Sequence, residues 1–204
     1  MSGRERELRR EDLQADPTRQ FQAWFEEACA EGVPLPEACT VATASVDARP
    51  SARMVLLKDV DERGFVFATN YESRKGRELG KNPRAALLFY WYALGRQVRV
   101  EGAVERVEAA ESDEIFLARP RESRISALAS RQSDPLESRE ELEDRVRVLE
   151  ARLEGSEVER PGFWGGYRVV PDELEFWQHR ENRLHIRFVY RRSDGGWEIE
   201  GLQP

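Results

Sequence analysis

Four stretches of this sequence gather cationic and hydrogen-bonding side chains in patterns that could hold a phosphorylated ligand. The first is Arg53-Met54-Val55-Leu56-Leu57-Lys58. If extended, it turns Arg53, Val55 and Leu57 to one side and Met54, Leu56 and Lys58 to the other, because strand side chains alternate. Cations then bracket an apolar run, as they would equally on an edge strand with solvated ends. The second, Thr69-Asn70-Tyr71-Glu72-Ser73-Arg74-Lys75-Gly76, runs into a helix start. Free N–H groups and the dipole there favour an anion and disfavour cations. A phosphate would explain Arg74 and Lys75 at that place, and a solvated pair would explain them as well. The third joins Arg119-Pro120-Arg121-Glu122-Ser123-Arg124 to Ser130-Arg131-Gln132-Ser133. Its hydroxyls, amide and guanidinium forks suit a second anion, although an ordinary charged helix surface reads the same way. In the fourth, Glu175-Phe176-Trp177-Gln178 precedes Arg183-Leu184-His185-Ile186-Arg187. An extended 183–187 would put Arg183, His185 and Arg187 on one face, and such a row is costly to bury without an anionic partner.

These clusters sit in a chain that is acidic overall. Its 204 residues carry 32 Lys and Arg against 39 Asp and Glu, a formal charge of −7. That balance argues against a nucleic-acid partner, whose binding rests on a basic face. No run approaches the roughly 18 apolar residues that span a bilayer, and residues 1–16 alternate Arg and Glu without the apolar core of a secretory signal. Cys29 and Cys39, with His179 and His185, are too few and too scattered for a disulfide framework or a zinc site. The expectation is a cytoplasmic protein with no metal, no membrane and no nucleic acid among its partners.

The elements that must position the clusters follow from periodicity. Residues 1–15 are polar and predicted to be a flexible segment, leaving 16–204 as a single α+β domain. Asp16-Pro17 predicts a helix start, with Phe21, Trp24, Phe25 and Ala28 as its buried stripe. Period-two patterns predict strands at 40–45, 52–58, 65–70, 85–92 and 97–107, joined as a meander. Ser73 caps a short helix ending before Asn82-Pro83, residues 109–128 form one or two helices broken at Arg119-Pro120, and Ser138-x-x-Glu141 opens another. Strands return at 166–170, 173–178, 185–192 and 197–202, the last two joined at Asp194-Gly195-Gly196.

Taken in order, Arg-Met-Val-Leu-Leu-Lys (53–58), Thr-Asn-Tyr-Glu-Ser-Arg-Lys-Gly (69–76), Arg-Gln-Val-Arg-Val-Glu-Gly (96–102), Arg-Pro-Arg-Glu-Ser (119–123), Ser-Arg-Gln-Ser (130–133), Phe-Trp-Gly-Gly-Tyr (163–167), Glu-Phe-Trp-Gln (175–178) and Arg-Leu-His (183–185) make the chain resemble the pyridoxamine 5′-phosphate oxidases from about residue 12 to 204. The resemblance implies an antiparallel split β-barrel with flanking helices, homodimeric, with FMN at the subunit interface. It implies a flavin set of Arg53, Met54, Val55, Leu56, Leu57, Lys58, Ala68, Thr69, Arg74, Lys75, Gln97, Gln132, Ser133, Trp177 and Arg187, with Arg74 and Lys75 on the phosphate. It implies that Lys58, Arg119 and Ser123 hold the substrate phosphate, and that Arg183, Leu184 and His185 meet the substrate ring, Arg183 and His185 as the catalytic pair. The implied reaction oxidises pyridoxamine or pyridoxine 5′-phosphate to pyridoxal 5′-phosphate, with O2 as acceptor and H2O2 as product.

The sequence departs from the family pattern at Ile115 (usually Tyr), Ile186 (usually Asp) and Gly201 (usually Arg), and no Arg-x-x-Tyr precedes Leu13. These changes leave the flavin set whole and thin the substrate set. Two other readings therefore stay open: a related flavin oxidase of the phenazine-biosynthesis type, and a non-catalytic module that binds FMN or pyridoxal phosphate.

Overall fold

Asp16 opens the first helix as predicted: its carboxylate accepts the N–H groups of Thr18 (2.7 Å) and Arg19 (3.1 Å), and Pro17 fills the first turn. This is α1 (Pro17–Ala30) in the computed structural model, which describes residues 7–204. There follow β1 (Ala38–Ala44), β2 (Pro50–Asp61), β3 (Gly64–Asn70), α2 (Arg74–Lys81), β4 (Arg84–Trp91) and β5 (Arg96–Arg106). Three helices, α3 (Ala109–Leu117), α4 (Arg121–Ala129) and α5 (Arg139–Arg152), precede β6 (Trp164–Gln178), β7 (Ile186–Ser193) and β8 (Gly196–Leu202).

Every pairing is antiparallel, in the order β3-β2-β1-β4-β5-β6-β7-β8, and an additional β3–β6 pairing closes the first six strands into a barrel. Phe21 of α1 plugs the barrel, with its ring 4.8 Å from both Phe65 and Phe89, while Trp24 meets Phe176 edge-on at 5.2 Å. Aromatic pairs in this geometry add about 0.5–1.5 kcal/mol each beyond simple burial. A second apolar cluster of Phe116, Ile125, Val158 and Trp164 forms beside the three central helices.

In the strands, one expectation is corrected. Strands predicted at 166–170 and 173–178 are one strand, β6. Glu101 pairs with Glu173 but Gly102 with Pro171, so Asp172 is an extra residue in a β-bulge, the place where a strand tolerates proline. The bulge reverses the inward parity: Tyr167 and Val169 face the core before it, Leu174 and Phe176 after it. A Cβ at Gly102 would lie 2.0 Å from the Val170 carbonyl oxygen, so the close approach at the bulge requires glycine.

The segment predicted to be flexible makes defined contacts where it is described. Residues 1–6 lie outside the described residues. In the rest, Leu8 and Leu13 pack against the core, the Leu8 N–H donates to Gln178 Oε1 (2.8 Å), and the Tyr190 hydroxyl donates to the Gln14 carbonyl (2.8 Å). Its few apolar residues are enough because each finds a place on the barrel.

Candidate active site

The alternation predicted for 53–58 holds. Ser51, Arg53 and Leu57 turn toward the barrel side of β2, and Met54, Leu56 and Lys58 turn outward. The outward residues border a cleft of about 370 Å³, a volume typical of small-ligand sites. Val55, Ala68, Thr69, Lys75, Arg119, Gln132 and Trp164 line the same cleft.

Lys75 lies at the back of this cleft, delivered by α2, whose start is capped by Ser73 accepting the Gly76 N–H at 3.3 Å. Lys75 is only 7% exposed, yet among the described residues its Nζ donates only to neutral oxygens: Thr69 Oγ1 at 2.9 Å and Gln132 Oε1 at 3.1 Å. Burial, with the Arg53 charge as a lesser cause, pulls this ammonium from the ordinary 10.5 down to about 8. A buried cation without an acid is an anion socket in waiting.

Arg53 and Arg74 do not enter the cleft. Glu78, one helical turn beyond Arg74, draws both to itself: Arg74 Nε donates to Glu78 Oε1 at 2.9 Å, and Arg53 Nη2 lies 3.4 Å from Glu78 Oε2. Arg53 also donates to Thr43 Oγ1 and Ser51 Oγ, both at 2.6 Å. Glu78 is itself desolvated, but the Ser51 and Thr43 hydroxyls and the two guanidinium groups hold its carboxyl down at about 2. The expected phosphate pair is thus divided, with Lys75 in the socket and Arg74 outside the cleft lining, 60% exposed at the side chain.

Across the cleft, Lys58 is exposed and Arg119 lies over the Trp164 ring, 5.0 Å from its centroid. Arg119 Nη1 is buried without a hydrogen-bond partner, and burial lowers its pKa. Ser126 and Ser130, not Ser123, line the cleft beside it. Ile115, where a hydroxyl was expected, packs into the second apolar cluster. Leu57 is buried in the core, and Ser133 is exposed with φ of +78° just past Gln132.

The fourth stretch forms a separate site. The segment 183–187 is not extended throughout: Glu181–Arg183 is a 3-10 turn with Asn182 (φ +54°) and Arg183 (φ +61°) both left-handed, and β7 begins at Ile186. The turn lifts Arg183 away from the strand, where it makes no hydrogen bond or ion pair among the described residues. The His185 ring packs at a tilt against Trp177, at 4.6 Å, and His179, at 5.3 Å, and Leu184 beside it is 67% exposed. Gln97 stands opposite Trp177 in the β5–β6 register. Arg187, opposite Trp177 on β7, donates to buried Glu175 at 2.7 Å, which raises its own pKa.

The two sites stand at opposite ends of β6, with Trp164 at one and Trp177 at the other. Thirteen residue steps along a strand are roughly 40 Å. One outward surface connects them. Met54 pairs with Thr40, Thr40 with Leu88, and Leu88 with Arg99, while Tyr90 pairs with Gln97 and Gln97 with Trp177. Its β2 and β4 part leaves Met54, Leu56 and Tyr90 exposed.

Sequence reasoning assigned no site role to Glu78, Glu175, Ser126, Trp164 or His179. Helical spacing from Arg74 and strand parity with Trp177 were the signals for Glu78 and Glu175; nothing local marked the others. Among the described residues no helix is long and apolar enough to cross a membrane.

Comparison with known proteins gives concordant findings. A family model described as pyridoxamine 5′-phosphate oxidase matches residues 25–152, and one described as the pyridoxine 5′-phosphate oxidase C-terminal dimerisation region matches residues 164–204. A Rubrobacter xylanophilus protein named pyridoxine/pyridoxamine 5′-phosphate oxidase is 61% identical over 93% of this chain and 87% of its own. A Trichormus variabilis protein of the same name is 53% identical over 95% and 91%. Among solved structures, PhzG from Burkholderia lata 383, in complex with tetrahydrophenazine-1-carboxylic acid, superposes with a TM-score of 0.91 at 35% identity, covering 97% of this chain and 98% of that one.

Proposed function

The chain belongs to the pyridoxamine 5′-phosphate oxidase family, and from that premise we propose that it is a cytoplasmic, FMN-dependent oxidase that converts pyridoxamine or pyridoxine 5′-phosphate to pyridoxal 5′-phosphate, with O2 as acceptor and H2O2 as product. The observation that carries the reading is the socket around Lys75: a buried ammonium with neutral partners only, facing a cleft that also holds Lys58 and the unpartnered Arg119 Nη1. Two anions fit there, the FMN phosphate on Lys75, Thr69 and Gln132, and the substrate phosphate on Lys58 and Arg119. Bound FMN supplies the two-electron acceptor and returns the electrons to O2.

The protein's part is orientation. Phosphate anchoring by Lys58 and Arg119 fixes one end of the substrate, and Arg183 with His185 covers its ring, removing rotational freedom before reaction. Because one chain separates the phosphate cleft from the ring cluster along β6, a complete site takes its halves from two copies. The exposed Met54, Leu56 and Tyr90 on the surface between them give a second copy an apolar face to cover. This supports a homodimer with two shared sites.

Arg183 orients and polarises; a guanidinium does not give up its proton usefully in a protein. Arg183→Lys keeps the charge and loses the planar fork, so turnover is expected to fall about tenfold or more with FMN content unchanged. Equal turnover in steady-state kinetics would remove Arg183 from this role.

Ile115 in the apolar cluster, together with the likeness to PhzG, favours a second reading, a flavin oxidase with a different substrate on the same scaffold. Mixing FMN-replete protein anaerobically with pyridoxine 5′-phosphate decides between them. The proposal expects bleaching of the flavin band and formation of pyridoxal 5′-phosphate; no bleaching with either vitamer phosphate rejects it.

A further inference from the structure

His185 accepts the Arg180 backbone N–H at Nδ1, at 3.2 Å. Nδ1 therefore carries no proton in this arrangement, and the neutral ring bears its hydrogen on Nε2. The same ring is held on its sides by Trp177 at 4.6 Å and by His179 at 5.3 Å, and these two rings are 6.1 Å apart. All three line one cleft with the 180–183 turn. His179 belongs to none of the sets assigned above.

We propose that His179 is a positioning residue which, together with the Arg180 amide, holds His185 as an Nε2–H hydrogen-bond donor to the substrate rather than as a proton carrier. Protonating Nδ1 would cost the Arg180 hydrogen bond and would set a cation against a second imidazole. The surrounding charges act in the same sense. From the turn, Arg180 and Arg183 are cationic and Glu181 is the one acid; from β7, Arg187 is already paired with Glu175; from β6, Trp177 and Gln178 are neutral. Position 186, next to His185, is Ile and offers no carboxylate. Burial, His179 and Arg183 all lower the His185 pKa, in that order.

The inference rests on the oxidase reading for its kinetics but not for its spectroscopy. The test is ring-nitrogen NMR of the two histidines in the FMN-loaded protein, across pH 5 to 8 and in the absence of substrate, for the wild type, His179→Asn and His179→Phe. The expected result is an Nε2–H tautomer for His185 in the wild type and a titration midpoint below the ordinary histidine value. The midpoint should rise in His179→Asn, and by less in His179→Phe, which keeps a ring packed against His185. The acid limb of kcat/KM for pyridoxine 5′-phosphate should move with it, each half-unit rise lowering the neutral fraction about threefold on the acid side. An Nδ1–H tautomer, or an identical His185 midpoint in all three proteins, overturns the proposal. Failure of turnover with the NMR result intact would instead count against the oxidase reading.

Discussion

Replacing Lys75 with Met is expected to weaken FMN binding by about a hundredfold, close to 3 kcal/mol, the scale of losing one partner of a buried charge pair. The same change should stabilise the unloaded fold. Lys75 titrates at about 8 instead of the ordinary 10.5, so the folded chain disfavours its ammonium. For a lysine whose folded value is depressed, the penalty is fully present below pH 8 and fades as pH rises toward 10.5. At pH 7 it amounts to at most about 3 kcal/mol. Lys75→Met removes that penalty, and with it the rise in unloaded stability between pH 8 and 10.5. Wild-type FMN affinity should also decline as pH climbs past 8, because the free socket loses its charge, and this decline should flatten in the variant. Fluorescence titration with FMN and urea unfolding of the flavin-free protein measure the two sides. A variant that binds FMN as tightly as the wild type would place the phosphate elsewhere.

Mixed dimers should recover activity that neither parent has. Lys75→Met damages the phosphate cleft and Arg183→Ala the ring cluster, and these stand at opposite ends of β6. If each site takes one half from each copy, a mixed dimer holds one doubly damaged site and one fully intact site. Random pairing makes half the dimers mixed, so coexpression is expected to restore about a quarter of wild-type turnover from two nearly inactive proteins. Sites contained within single chains would give no recovery, and turnover assays on the coexpressed pair separate the two arrangements.

The barrel was legible because its strands alternate cleanly and Asp16, Ser73 and Ser138 each cap the helix they precede. Proline hid the continuity of β6: a single Pro171 reads as a strand end unless the partner strand supplies the bulge, and that partner lies seventy residues away in sequence. In the site, the cationic clusters were visible as composition, but their division was not. Arg53 and Lys75 look equivalent in sequence; the carboxylate of Glu78 neutralises one and leaves the other bare. The left-handed turn at Asn182 and Arg183 was also hidden, since neither residue is a glycine and nothing short of tertiary packing forces that backbone.

The bulge at Asp172 constrains how this protein can diverge. Deleting Asp172 itself would leave Pro171 and Glu173 opposite the adjacent Gly102 and Glu101, a regular ladder with Leu174 and Phe176 still inward, whereas losing a residue elsewhere in the second half of β6 would turn the side chains beyond it to the opposite face. Substitutions along the strand can accumulate one at a time, whereas a single-residue length change is absorbed only at the bulge, where β6 already carries one residue more than β5. Lineages should therefore drift freely in residue type between the two tryptophans while keeping the count on each side of the bulge, a ruler with one adjustable mark.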